Sequence, residues 1–132
     1  MFAEDIKELT KENDNFRKVL YTGQYSQIVA MNIPVNQEIG EEVHPHTDQI
    51  LFFVDGDCEA IINNEMRRVG EHDVVFVPAG TKHNFQNVGE RDLKLFTVYA
   101  PPEHPDGTVH ATKNEAEKAE VESSAFMQKQ EQ

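Results

Sequence analysis

The chain has 132 residues, of which 24 are acidic and 12 are basic, and its net charge is −12 at neutral pH. This length fits one domain with a two-layer core and leaves no room for separate cofactor and substrate domains. The charge argues against a nucleic-acid partner, which needs a clustered basic face, and against an anionic membrane surface.

The sequence also indicates where the protein works. No apolar run approaches the length of a membrane span, and the acidic, polar N-terminus is unlike a signal peptide. Cys58 is the only cysteine, so an internal disulfide is impossible and the reducing cytoplasm is the expected location. Because nothing basic lies beside Cys58 in the sequence, we expect a passive small residue there rather than a nucleophile.

Short β-rich segments dominate the chain between two polar ends. Residues 1–15 form a polar arm in which Ile6 and Leu9 allow a single apolar turn of helix. Runs of β-branched and aromatic residues, separated by turn residues, then predict strands at residues 18–22, 27–33, 49–54, 58–62, 66–69, 74–77, 83–88 and 93–99. This spacing predicts an all-β barrel over residues 16–112. Residues 113–132 are charged and rich in helix formers, which predicts a polar C-terminal helix or tail.

The segment at residues 49–55 is apolar on both of its predicted faces. Side chains alternate along a strand, so one face carries Gln49, Leu51 and Phe53, and the other carries Ile50, Phe52 and Val54. A strand that is apolar on both faces must be covered on both. A second copy of this short chain could provide the outer cover, which predicts a homodimer. The alternative is cover by the N-terminal arm or by the second sheet.

Two stretches of the sequence concentrate candidate metal ligands. The first runs from Glu42 to Gln49 and contains His44 and His46, and the second ends at His83. Imidazole nitrogen suits iron, copper, nickel and zinc, and the added oxygen ligands also admit manganese. The sequence therefore predicts a divalent transition metal (Fe, Mn, Zn or Ni) inside the barrel.

Parity along the first stretch leaves the ligand set open. Residues 42, 44 and 46 lie on one face of a straight strand, so geometry does not exclude His46. Gln49 has the opposite parity and joins that face only if the chain turns or bulges between residues 45 and 48.

These stretches resemble the two conserved motifs of the cupin superfamily. Pro78, Gly80, His83 and Asn87 match every position of the second motif, Pro-x-Gly-x-x-His-x-x-x-Asn. The first motif ends as expected, with Gln49, six residues and then a glycine. The resemblance covers residues 19–99 and implies a single-domain, double-stranded β-helix (jelly-roll) barrel that binds a metal.

Two further stretches narrow the resemblance. Residues 40–49 and 99–110 look like a group of small bacterial single-domain cupins that are often labelled as related to mannose-6-phosphate isomerase. That label rests on a shared fold and gives weak support for the activity itself.

The resemblance implies a ligand set of Glu42, His44, Gln49 and His83, with His46 as a lower-ranked alternative. Cupins have a spacer of three or four residues between the first ligand pair and the next ligand. Four residues separate His44 from Gln49, which fits if Glu42 and His44 are the pair. Two residues separate His46 from Gln49, which is too few if His44 and His46 are the pair. The first set around a divalent ion leaves a net charge of +1 (+2 from the ion, −1 from Glu42), whereas the set with His46 leaves +2. Burying the less compensated charge costs more, which favours Glu42.

Two functions remain open at this stage. A metal with open coordination positions predicts an enzyme that acts on a small oxygen-rich metabolite by isomerisation, dioxygenation or decarboxylation. The alternative is a non-catalytic module that binds a small molecule or a metal. A sugar-phosphate isomerase would need a cationic phosphate site, for which Lys82, Arg67 and Arg68 are the central candidates, and Lys82 alternates away from the metal face.

Overall fold

A computed structural model describes residues 1–120, and within them the chain is mostly β-strand. The elements in chain order are α1 (Ile6–Glu12), β1 (Arg17–Thr22), β2 (Gln27–Ile33), β3 (Asp48–Asp55), β4 (Asp57–Ile62), β5 (Glu65–Gly70), β6 (Val74–Val77), β7 (His83–Asn87), β8 (Leu93–Ala100) and β9 (Val109–His110). Residues 113–120 are helical, and the rest of the predicted C-terminal helix or tail, residues 121–132, lies outside the described residues. No helix among residues 1–120 is both long and apolar enough to cross a membrane.

Two antiparallel sheets build the barrel. The larger has six strands in the order β6-β3-β8-β2-β1-β9, and the smaller has three in the order β5-β4-β7. Strands that are distant in sequence lie side by side in both, such as β3 beside β8 and β4 beside β7. The predicted all-β architecture is therefore confirmed.

The inner face of the large sheet carries the core. In the rows that run across the strands, Met31 lies opposite Leu95 and Leu95 opposite Phe53. These side chains are buried with Phe85 from the small sheet, against which Phe53 packs with ring centroids 6.0 Å apart. Cys58 lies in the same core, and burial raises the pKa of its thiol to about 12, as expected for an unreactive residue.

Toward one end of the barrel the inner face becomes polar. Gln27, Tyr99 and Gln49 lie opposite one another in a row across three strands. The next row on this face, two residues along the strands, contains Thr97, and all four residues are buried. Buried polar groups need partners, so a polar row inside a barrel marks the end where a site can form.

The N-terminal arm forms more structure than the single turn expected from its sequence. Asp5 caps α1 by accepting a hydrogen bond from the backbone N–H of Glu8, and the helix runs for seven residues. It packs against β8, β3 and β2, and Lys94 ties its end down by donating to the backbone carbonyl of Asn13 at 2.7 Å. The arm thus covers part of the outer face of the large sheet.

Residues 1–120 leave the rest of that outer face open. Its apolar side chains form what we call the outer patch: Ile50, Phe52, Val74, Phe76, Phe96 and Val98. Val74 and Phe76 are 57% and 54% exposed, and the Phe52 and Phe96 rings stack at 4.8 Å. Val54 was expected on this face, but the pairing of β3 with β8 shifts register beside it and its side chain is buried.

Candidate metal centre

The two motif stretches meet through a backbone bridge between Glu42 and His83. The N–H of Glu42 donates to the carbonyl of His83 at 2.9 Å, and the N–H of His83 donates back at 3.0 Å. Residues that exchange both hydrogen bonds in this way present their side chains on the same side. A further bond, from the Gly80 N–H to the His44 carbonyl at 2.8 Å, fixes His44 against the second motif.

Glu42, His44 and His83 form a group with metal-binding geometry. One ligand atom from each lies within 4.8 Å of the others. Glu42 Oε2 is 3.1 Å from His44 Nε2 and 3.8 Å from His83 Nε2. Bonds of about 2.0–2.2 Å to one transition metal bring neighbouring ligand atoms to about 3–3.5 Å, so a small closure of these side chains would complete the site.

The other two predicted site residues lie in different environments. Gln49 is buried on the inner face, and its amide nitrogen donates to the hydroxyl of Tyr99, whose ring lies edge-on against His44 at 5.7 Å. His46 is exposed and outside the group, because a turn at Pro45 and His46 directs it away from the barrel. The turn lies between residues 45 and 48, where the sequence needs a turn or bulge to bring Gln49 onto the same face as Glu42 and His44.

Hydrogen bonding fixes the tautomer of His83. Its Nδ1 lies 2.8 Å from the carbonyl oxygen of Thr81, which can only accept, so Nδ1 carries the proton. The lone pair of Nε2 then faces Glu42, and this buried nitrogen has no hydrogen-bond partner among residues 1–120. The amide oxygen of Gln49 is likewise buried without a partner in that range. A buried acceptor without a partner beside a carboxylate, as at His83 Nε2, is the environment that a bound cation would satisfy, so Glu42, His44 and His83 fit a metal.

Glu103 holds the other side of His44. Its Oε1 lies 3.1 Å from His44 Nδ1, while Glu42 lies 3.1 Å from Nε2. Gln27 positions this part of the chain, because its side-chain oxygen accepts from the backbone N–H groups of Glu103 and His104. Glu103 was not among the predicted site residues, because its 59-residue separation from His44 leaves no local spacing to reveal the contact.

The charges of the group are strongly coupled. Burial alone would lower the pKa of His44, but hydrogen bonds to Glu103 and Glu42 raise it to about 9. Burial disfavours ionisation of Glu42, yet its bond to His44 and the nearby positive charges lower its pKa. Burial lowers the pKa of His83. The metal-free site therefore holds one cationic and one neutral imidazole around an ionised carboxylate.

Asn87 and Asp48 lie near the motif ligands in sequence but bond to the backbone. Asn87 donates to the backbone carbonyls of Ile33 and Arg91, and Asp48 accepts from the backbone N–H of Ala79. Both therefore fix loops near the strands of the barrel. Thr47 contributes to the site indirectly, because it helps to lower the pKa of Glu103.

The comparison with protein families agrees with this arrangement. The family described as "Cupin domain" matches residues 29–99, which include both motif stretches. The chain belongs to the cupin family. The resemblance inferred from the two motifs is thus confirmed, and with it the jelly-roll fold.

Relatives of this cupin include proteins without an assigned activity. An uncharacterized protein YrkC of Bacillus subtilis is 41% identical over 127 residues, which span 90% of this chain and 67% of the relative. A crystal structure of BH2720 from Bacillus halodurans is 41% identical and superposes with a TM-score of 0.88, covering 89% of this chain and 93% of that one. A mannose-1-phosphate guanylyltransferase of Salmonella montevideo is 28% identical over 76 residues, which span 58% of this chain but 16% of that enzyme.

Proposed function

We propose that this cupin binds a divalent transition metal through Glu42, His44 and His83, with Gln49 as a fourth ligand, and acts on a small oxygen-rich metabolite. The observation that carries the proposal is the convergence of three ligand atoms within 4.8 Å from two motif stretches. The Nε2 of His83 supports it, because this nitrogen keeps a buried lone pair that has no partner among residues 1–120. Iron, manganese, zinc and nickel all suit this set of donors.

The protein side chains set the character of the site. Glu42 supplies one negative charge and Gln49 a neutral oxygen, so the site with a divalent ion would keep a net charge of +1. Three or four protein ligands leave coordination positions open for substrate oxygen. When bound, such an ion polarises a substrate carbonyl or hydroxyl or lowers the pKa of bound water.

Three reaction classes remain within reach: isomerisation, dioxygenation and decarboxylation. Lys82 is exposed and pairs with Glu41 at 2.8 Å, and Arg67 and Arg68 are exposed on β5. None of these three lines the cavity that contains Glu42, so they offer no phosphate site there. The three cations that the sequence offered for a phosphate site therefore do not support a sugar phosphate as the substrate.

Elemental analysis of purified protein tests the ligand set. We expect the wild type to hold about one metal ion per chain, and Glu42→Ala and His83→Ala to lose at least about tenfold in metal affinity. His46→Ala is the matched control, because it removes an exposed imidazole two residues from His44 and should leave the metal content unchanged. Loss of metal in His46→Ala with retention in Glu42→Ala would show that the ligand register is wrong.

A second measurement on the same samples separates an enzyme from a binding module. We expect Mn²⁺-loaded wild type to enhance water proton relaxation strongly, because open positions hold exchanging water. A metal shielded from water by full protein coordination would indicate a structural site instead.

We also propose that the protein is a cytoplasmic homodimer. The exposed part of the outer patch supports the dimer, since α1 covers only one end of that face. The cytoplasmic location is supported by the single buried cysteine, which gives the chain no internal disulfide.

A further inference from the structure

A buried guanidinium lines the same cavity as Glu42 of the candidate metal centre. Arg17 opens β1 opposite Met31, so its side chain lies on the inner face of the large sheet, and it is 2% exposed. It lines a cavity of about 210 Å³ together with Glu42, Lys113, Ala116, Glu117 and Glu120. Arg17 was absent from the predicted site because it lies 25 residues before Glu42 and outside both motifs.

Among residues 1–120, the carboxylate that pairs with Arg17 within 4.0 Å is that of Glu120. The NH1 of Arg17 is 3.5 Å from His110 Nδ1 and 3.8 Å from Glu120 Oε1, and the Glu120 side chain is 62% exposed. Nε is buried without any hydrogen-bond partner in the described part of the chain. A buried cation is costly unless it is paired and its N–H groups are bonded, so an anion that enters this cavity gains both interactions.

We propose that Arg17 is the anion-binding residue of the substrate site and that the substrate is a small carboxylic acid. Its carboxylate accepts from the guanidinium of Arg17, and another oxygen of the acid lies toward Glu42, which lines the same cavity. The second contact rests on the proposed metal site, whereas the contact with Arg17 does not. A planar guanidinium is suited to a carboxylate because it donates two parallel hydrogen bonds.

The surroundings of Arg17 favour a carboxylate over a phosphate. Glu42, Glu117 and Glu120 line the same cavity, opposed by Arg17 and Lys113. A dianionic phosphate would meet more repulsion from these carboxylates than a monoanion would. The volume is also below the roughly 300–1,000 Å³ of sites for larger ligands, so the acid has few heavy atoms.

The structure already places one carboxylate near the guanidinium. Glu120 belongs to the helical residues 113–120, which also bring Lys113 and the buried Ala116 to the cavity. At 3.8 Å from Arg17 its carboxylate occupies the side from which a ligand would pair. Glu120 therefore competes with the substrate, and removing its charge should strengthen binding.

Calorimetric or NMR titration with pyruvate and lactate tests this assignment on the full chain. We expect Arg17→Met to bind both acids at least about tenfold more weakly than the wild type, Arg17→Lys to recover part of the loss, and Glu120→Gln to bind about two- to fivefold more tightly. Arg91→Met is the matched control, because Arg91 is an exposed arginine paired with Asp55 and should leave binding unchanged. Neutral pyruvamide should bind at least about tenfold more weakly than pyruvate to the wild type.

The same titrations in metal-free protein separate this inference from the proposed function. If the wild type holds no metal, the proposed function fails, but pyruvate should still bind the wild type more tightly than Arg17→Met. Equal affinity of those two proteins, or no binding of either acid to the wild type, would overturn the role of Arg17. Tighter binding of inorganic phosphate than of pyruvate would overturn the carboxylate class, and unchanged affinity in Glu120→Gln would overturn the competition.

Discussion

His44 lies between two carboxylates that act on opposite nitrogens of one ring. Glu103 faces Nδ1 and Glu42 faces Nε2, each at 3.1 Å. Together they hold the pKa of His44 near 9, so the metal-free protein carries a cationic imidazole at neutral pH. A metal ligand must be deprotonated, so metal binding would release a proton from Nε2 while Glu103 keeps the ring oriented through Nδ1.

The variant Glu103→Gln tests this coupling in metal-free protein. We expect the pKa of His44 to fall from about 9 by about one to two pH units, because an adjacent negative charge is lost. NMR titration of the ring measures this directly, and Glu90→Gln, which changes an exposed glutamate, is the control. An unchanged titration of His44 would contradict the contact with Glu103.

The same pKa shift fixes the sign of a stability effect. A histidine whose pKa is higher in the folded than in the unfolded state stabilises the fold fully below about pH 6.5. That contribution is lost as the pH rises through about 9. The difference in thermal midpoint between metal-free wild type and Glu103→Gln should therefore shrink between about pH 6 and pH 10.

Single residues differ in how far the sequence reveals them. Glu42, His44 and His83 lie in short motifs, so their spacing predicts the group that the structure brings together. Glu103 and Arg17 reach the same region from separate strands and loops, and only the three-dimensional pairing of strands places them there. Their residue types did not indicate a place in the site, because most glutamates and arginines are solvent-exposed.

At the scale of elements, runs of β-branched and aromatic residues bounded by turn residues predicted the strands well. The bounds of β2 and β6 agree with the sequence, and the other predicted strands differ by one residue at one or both ends. The pattern worked because β-branched and aromatic side chains fit the pleated surface of a sheet. It failed for β9, whose two residues are too few to form such a run and which forms by pairing Val109 and His110 with β1.

The loop after β8 is held in place by a residue that is distant from it in sequence. Gln27, at the start of β2, donates to the carbonyl of His104 at 2.7 Å and accepts from the N–H groups of Glu103 and His104. One buried amide thus fixes the loop that supplies Glu103 to His44. The same loop puts the ring of His104 against Tyr99, with ring centroids 5.1 Å apart.

At the scale of the whole molecule, residues 1–120 of a single chain leave the outer patch uncovered. Across β6, β3 and β8, Phe76 lies opposite Ile50 and Ile50 opposite Val98, while Val74 lies opposite Phe52. These pairs make the outer patch continuous. Contiguous exposed apolar surface is typical of interaction sites, and a second copy would offer the same patch in return.

Substituting Phe76 tests the homodimer at this scale. Sedimentation should give the wild type the mass of two 15.1 kDa chains, and Phe76→Glu the mass of one. The reason is that Phe76 is 54% exposed on an edge strand, so a glutamate there is tolerated by the monomer but would have to lose its water in a dimer, at a cost of several kcal/mol. Met66→Glu is the matched control, since Met66 is 62% exposed on the small sheet and should leave the dimer intact. A wild type that sediments as one chain, or a Phe76→Glu variant that still sediments as two, would show that the outer patch does not join two copies.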